Sequence, residues 1–161
     1  MIDRPTARGL GEPDGAPIAR PGTVLQGGRA KAYRPLPAET RRLAYDRALE
    51  AYDRGDFFLT HELLEPAWMG TADPAERALH QGLIKLAAAF VHGVRGNPKG
   101  IARNLAGARE RLAEAVGTPA AAGSGLDVAA LLDAIDERLA RLAANPTDAS
   151  IDAPNLPRVA R

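Results

Sequence analysis

The 161 residues of this chain suffice for one domain with its own hydrophobic core, and none of them is a cysteine. This excludes disulfide frameworks, Cys-ligated zinc, iron–sulfur clusters and thiol nucleophiles, and it agrees with a cytoplasmic location. Lysine and arginine total 21 against 20 acidic residues, and the resulting net charge of +1 argues against nucleic acid as a partner. No signal-peptide segment and no run of about 18 uncharged apolar residues is present, so neither secretion nor membrane insertion is expected.

Segments rich in glycine and proline flank the central part of the chain. Residues 1–38 contain hardly any periodic apolar positions, which is typical of a flexible arm. Residues 145–161 carry three prolines and are predicted to form a flexible tail. The intervening residues 39–144 are rich in alanine and leucine with helical periodicity, and they predict one helical bundle domain.

The first predicted helix runs from about Ala38 to Arg54 and presents an apolar stripe, with Gly55 suited to a left-handed position after its end. Asp56 is placed to cap the second helix, which extends to about Trp68. Pro66 removes a backbone donor inside this helix, so a kink or an end is expected near it.

The third predicted helix has the clearest start, since Asp73 can cap it and a proline follows at the first helical position. It runs to about Arg95. Asn97 opens a fourth helix that continues to about Val116 and is followed by a loop of small residues. Asp127 begins a fifth, amphipathic helix.

These elements predict an all-α fold of about five helices, built from two antiparallel αα-hairpins plus a C-terminal helix, with disordered tails. Arg54-Gly55-Asp56 and Arg95-Gly96-Asn97 occupy equivalent places between helices. The two hairpins therefore resemble tetratricopeptide units in outline, but the repeated aromatic signature of a solenoid is lacking. The oligomeric state is left open, and a homo-oligomer remains compatible with the sequence.

A histidine and a carboxylate share one face of the second predicted helix. An advance of about 100° per residue places His61 and Glu65 beside Phe58 and Trp68, on a face expected to be buried, whereas Glu62 points elsewhere. Burying an unpaired ionisable group is costly. The pair must therefore hydrogen-bond within the core, meet a partner on another helix, or hold an ion or ligand.

The same residues approach a zinc-protease motif. His61-Glu62-Leu63-Leu64-Glu65 matches HExxH except that a glutamate replaces the second histidine, which would leave Glu62 in the position of the general base. One such near match does not support proteolysis. No glutamate precedes a histidine by three residues, which argues against a di-iron carboxylate bundle.

The other two histidines lie on the third predicted helix. Gln81 and His92 belong to a second stripe of that helix, which could face the pair on the second helix. His92 is then either a metal ligand or a hydrogen-bond partner in the core. His80 lies roughly 18 Å of helical rise from His92, too far to share an ion, and we expect it to face solvent.

Residues 45–112 resemble the bacterial and archaeal family catalogued as domain of unknown function 309. The matching motifs are His-x-x-x-Glu-x-x-Trp, Gln-Gly-Leu-Ile and His-x-x-x-Gly-Asn-x-x-Gly, here formed by His61, Glu65 and Trp68, by Gln81 to Ile84, and by His92, Gly96, Asn97 and Gly100. Ile101 departs from the usual alanine of the last motif. The resemblance implies a helical bundle and suggests metal binding by the His/Glu/Trp element. It implies no activity.

The resulting hypothesis is a site for one divalent metal ion or small ligand, with His61 and Glu65 from the second helix and His92 from the third. Trp68 and Phe58 would exclude water from it. Two further polar groups join Glu62 in supporting positions, namely Gln81 and Asn97. The alternative is a non-catalytic, tetratricopeptide-like interaction module in which the cluster is structural.

Overall fold

The computed structural model describes residues 23–26 and 29–159, with side chains from Tyr33 onward. The chain divides into two compact units, Met1–Ala32 and Tyr33–Arg161. In the first unit, strands β1 (Thr23–Gln26) and β2 (Arg29–Ala32) form an antiparallel hairpin. The hairpin lies within the predicted arm, of which residues 1–22 and 27–28 fall outside the described residues.

The second unit is an all-α bundle, as predicted. Its described residues form helices α1 (Ala38–Asp53), α2 (Phe57–Met69), α3 (Pro74–Val94), α4 (Pro98–Ala115), α5 (Pro119–Ala122) and α6 (Val128–Ala144). The four-residue helix α5 lies in the segment predicted as a loop of small residues between the fourth and fifth helices. No helix in the described ranges is both long and apolar enough to cross a membrane.

The predicted caps account for where the helices begin. Each of four side chains accepts a hydrogen bond from the backbone N–H three residues later, at 2.9–3.1 Å, and these are Asp56, Asp73, Asn97 and Asp127. Gly55 and Gly96 adopt left-handed φ values of 78° and 67° after α1 and α3. The chain therefore reverses direction within a few residues at both places.

Helix α3 lies at the centre of the bundle, packed against α2, α4 and α5, and α4 also packs against α6. Neighbouring long helices are antiparallel. The ring of Phe57 at the start of α2, for example, lies 5.5 Å from that of Phe90 near the end of α3. Helix α2 continues through Pro66 to Met69. Helices α1 and α2 thus form one of the predicted αα-hairpins, and α3 and α4 form the other. Contacts with α1 and α3 hold α2 in position.

Helices α3 and α4 lie in close contact at Gly82, the glycine of the Gln-Gly-Leu-Ile motif. A Cβ atom there would lie 2.6 Å from Cγ of Leu112. We expect Gly82→Ala to lower the free energy of unfolding by about 1–2 kcal/mol, because the overlap outweighs the gain in helix propensity. Gly93→Ala, on the same helix, is the control. Its Cβ would meet atoms no closer than 3.6 Å, so denaturant titration should show a gain of about 0.5–1 kcal/mol.

The segment that follows α6 lies along the bundle, in contrast to the predicted flexible tail. The Tyr52 hydroxyl donates to the carbonyl of Pro154 at 2.8 Å, and Arg138 donates to that of Ser150 at 3.0 Å. Leu156 is buried. In these contacts, side chains of the helices donate hydrogen bonds to backbone carbonyls of the segment. The segment has no helical periodicity, so its sequence pattern does not reveal that it is held in place.

We propose that limited proteolysis will trim the chain to a core that begins near Tyr33 and extends past Leu156. The core should keep its helicity, because the boundary between the two units falls just before Tyr33 and the C-terminal segment is held by buried contacts. Mass spectrometry of the fragments gives both ends. A stable core that ends near residue 144 would instead support the flexible tail.

Candidate functional site

Three side chains in the middle of α2 bring their metal-ligating atoms together. One donor atom each from His61, Glu62 and Glu65 can be chosen such that all lie within 4.8 Å of one another. The spacing of three and four residues from Glu62 and His61 to Glu65 places these side chains on adjoining parts of one helical surface. Within the group, Nδ1 of His61 lies 3.5 Å from Oε1 of Glu62.

The cluster lies at the protein surface, which corrects the expectation of a buried face. The side chain of His61 is 30% exposed and that of Glu62 is 54% exposed, while Glu65 is half-buried. Glu62 thus joins the pair although its Cβ points about 100° away from that of His61, because a long side chain can bend toward its neighbour. Water reaches the cluster, so the charged groups keep much of their hydration.

The two aromatic residues expected to exclude water occupy opposite environments. Trp68 is 1% exposed and belongs to the core of the bundle. Phe58 is 62% exposed and cannot shield the cluster in this arrangement. The predicted aromatic face is therefore divided: its C-terminal end is buried, and its N-terminal end faces solvent.

His92 is not part of the cluster. Its Nδ1 lies 3.2 Å from Nδ2 of Asn97, and its ring lies where a Cβ on Gly100 would collide with it. An amide nitrogen can only donate, so Nδ1 is the acceptor. Because α2 and α3 are antiparallel and Phe57 is level with Phe90, the level of His92 lies beyond the start of α2. The imidazole therefore packs against the turn between α3 and α4, and its contact with Asn97 is exposed instead of lying in the core as predicted.

The remaining polar residue from the predicted site is buried on α3. Gln81 is 5% exposed, and its Nε2 has no hydrogen-bond partner among the described residues.

A second titratable centre escaped prediction. His80 is 3% exposed, and its ring centroid lies 5.8 Å from that of Tyr45 on α1. Burial lowers the pKa of His80 to about 4, against the attraction of the Glu76 carboxylate, which acts in the opposite direction. The ring is therefore neutral at pH 7. Around His80, α3 is covered by other elements on every side. His80 is therefore buried although it lies outside the main apolar stripe of the helix.

Glu76 is ionised beside this histidine. Burial opposes its ionisation, but the hydrogen bond from Arg41, 2.8 Å from Nε to Oε1, helps to lower the pKa of the carboxyl group. Arg41 also donates to the carbonyl of Leu36. The carboxylate of Glu76 and the guanidinium of Arg41 thus form an ion pair close to His80.

Comparisons with known proteins identify only a family likeness. A search of curated proteins found no match, and a search of solved structures also found none. The family model described as Domain of unknown function (DUF309) matches residues 45–104, the segment that contains the His61, Glu65 and Trp68 motif, and this confirms the resemblance of the chain to that family.

Proposed function

We propose that this protein binds a divalent metal ion through His61, Glu62 and Glu65. The supporting observation is that their donor atoms lie within 4.8 Å of one another. Bonds of about 2.0–2.2 Å to a shared ion would bring such atoms to roughly 3–3.5 Å apart. Side-chain rotations of partly exposed residues can cover this difference without movement of the helix.

The chemistry of the donors fits a cation. Two carboxylates supply negative charge and one imidazole supplies a nitrogen ligand, a combination compatible with zinc, manganese or iron(II). The partial exposure of His61 and Glu62 leaves a path to solvent. Three ligands from one helix leave further coordination positions for water or for a small ligand. Metal binding is the function proposed here, with no reaction attached to it.

The test is the melting temperature of protein purified without a histidine tag and treated with a chelator. Zinc, manganese, iron(II) or nickel should raise it in proportion to the logarithm of the free metal concentration, because the folded state alone holds the site. At a free concentration 100 times the dissociation constant, the expected stabilisation is about 2.7 kcal/mol. Elemental analysis before chelation should find metal at one ion per chain.

Variants separate this site from the one predicted on sequence grounds. Glu65→Gln and Glu62→Gln should each abolish most of the metal-dependent increment while the chelated protein stays folded. His92→Gln is the matched control, since His92 contacts Asn97 instead of the cluster. Loss of the increment in Glu65→Gln and His92→Gln, with the increment kept in Glu62→Gln, would favour the His61, Glu65 and His92 set. A wild-type melting temperature unmoved by all four metals would eliminate the metal proposal.

The second candidate function is an interaction module, and one observation favours it. Phe58 is 62% exposed on α2, one turn before His61 and Glu62. Exposed aromatic residues often serve as anchors for partner proteins. Under this alternative the cluster only shapes the surface of the helix, and elemental analysis should detect no bound metal.

A further inference from the structure

An open trough of about 370 Å³ lies between α4 and α6, two helices that pack against each other. Helix α6 contributes Leu139, Leu142 and Ala143 to its lining, and α4 contributes Ala102. The α6 residues lie on one stripe of that helix, because they are separated by three and four positions. The volume of this α4–α6 trough is within the range of cavities that hold small molecules. No metal-site residue of α2 lines it.

The floor of the trough belongs to the core, and its sides reach solvent. Leu142 is 5% exposed, whereas Leu139 is half-buried and Ala143 is exposed. The rings of Pro98 and Pro146 also line the trough, and such rings have little freedom to rearrange. The folded chain therefore holds an apolar surface in contact with water. An apolar ligand that covers this surface removes it from water, which is favourable.

Lys99 is the one charged residue among those that line the trough within the described part of the chain. Its side chain is exposed, and it makes no hydrogen bond or ion pair with another described residue. No carboxylate lines the trough to compete for this ammonium group. A lysine carries its charge on a flexible stem of four carbons, so the ammonium can reach an anionic group at the edge of the trough.

We propose that the α4–α6 trough binds an aliphatic monocarboxylate. Its alkyl chain lies against Leu139, Leu142 and Ala143, and its carboxylate pairs with the ammonium group of Lys99. The lining is almost wholly apolar, so a ligand with polar groups along its chain would lose hydration there without gaining partners. The rise of α6 from Leu139 to Ala143 is about 6 Å, which suits an alkyl chain of short to medium length.

Titration calorimetry of the full chain, with chelator present, tests both parts of this ligand. From butanoate through hexanoate to octanoate, each methylene group that enters the trough should raise the affinity by up to about fourfold. Acetate should not bind measurably. Octylammonium has the octanoate chain length with the opposite charge, and it should bind at least about tenfold more weakly than octanoate, because Lys99 repels it.

Reversing the charge of Lys99 should reverse this preference. Lys99→Glu should bind octylammonium more tightly than octanoate, whereas Arg111→Glu should keep the wild-type order. Arg111 is the matched control, because it lies about 18 Å further along α4 and does not line the trough. Lys99 is exposed and Arg111 is partly exposed. The fold should therefore persist in both variants, and circular dichroism checks it.

A second pair of variants tests the apolar surface. Ala143→Phe should fill the trough and weaken octanoate binding by at least about tenfold, whereas Ala140→Phe should leave the affinity unchanged. Both alanines are exposed on α6, and Ala140 does not line the trough. In NMR spectra of the wild type, octanoate should shift the methyl resonances of Leu139 and Leu142.

Four results would overturn the proposal. They are a lack of octanoate binding, equal binding of octanoate and octylammonium, an unchanged preference in Lys99→Glu, and equal affinities of the two phenylalanine variants for octanoate. The first would mean that the trough holds only water, and the second that it attracts alkyl chains without regard to charge. Because the chelator removes any metal, none of these outcomes depends on the metal site.

Discussion

Replacing Trp68 with alanine should lower the free energy of unfolding by about 3–5 kcal/mol, the largest effect expected of any single change considered in this bundle. The indole is 1% exposed and is among the largest fully buried side chains of the described residues. Its removal leaves a cavity that neighbouring side chains of a close-packed core fill only in part. Urea titration followed by circular dichroism measures the loss.

Phe58→Ala is the control for this prediction, since it truncates an aromatic residue of the same helix. With 62% of its surface exposed, Phe58 should change the free energy of unfolding by no more than about 0.5 kcal/mol. Similar losses in the two variants would show that the assignment of Trp68 to the core and Phe58 to the surface of α2 is wrong. A large loss confined to Trp68→Ala would confirm that the motif tryptophan is structural.

The helices could be predicted because their ends carry local chemical signals. Asp73 accepts the backbone N–H of Glu76 at 3.0 Å, and Asn97 accepts that of Gly100 at the same distance. Such caps act within three residues, and the sequence alone reveals them. The left-handed Gly96 is a signal of the same local kind.

The composition of the site could be predicted only in part. The shared helical face of His61 and Glu65 follows from their spacing, and the structure brings these two side chains together. The third member depends on the axial register between two helices and on how far a side chain bends. Neither quantity follows from periodicity. The predicted third member, His92, instead lies against Asn97. The donor atoms of Glu62 lie close to those of His61 and Glu65.

The burial of His80 could not be read from the pattern of α3 on its own. A helical wheel assumes one buried face and one solvated face. Helix α3 is instead covered by neighbours on several sides, and residues from Ala78 to Ile84 are all buried. A signal was present in the sequence, because Lys85 is the only Lys, Arg, Asp or Glu between Ala78 and Val94. A helix with so few charges is expected to be buried nearly all round.

His80 should make the stability of the protein depend on pH in a defined interval. In the unfolded chain the imidazole takes up a proton near pH 6.5, whereas burial holds the folded ring neutral until about pH 4. The unfolded state therefore binds more protons throughout this interval. The free energy of unfolding should fall by about 3 kcal/mol as the pH is lowered from above 6.5 to about 4.

The charged groups beside the His80 ring determine the pH range in which its contribution to the loss of stability can be measured separately from that of Glu76. Arg41 disfavours the protonated imidazole and Glu76 favours it. The lowered pKa of Glu76 adds a second loss of stability, but only below about pH 4.5, where the unfolded carboxyl begins to take up a proton. Between pH 7 and 4.5 the decline should therefore be strongly reduced in His80→Gln and preserved in His92→Gln. Urea titrations of both variants across this range measure it, and a decline of equal size in His80→Gln and the wild type would assign it to another group.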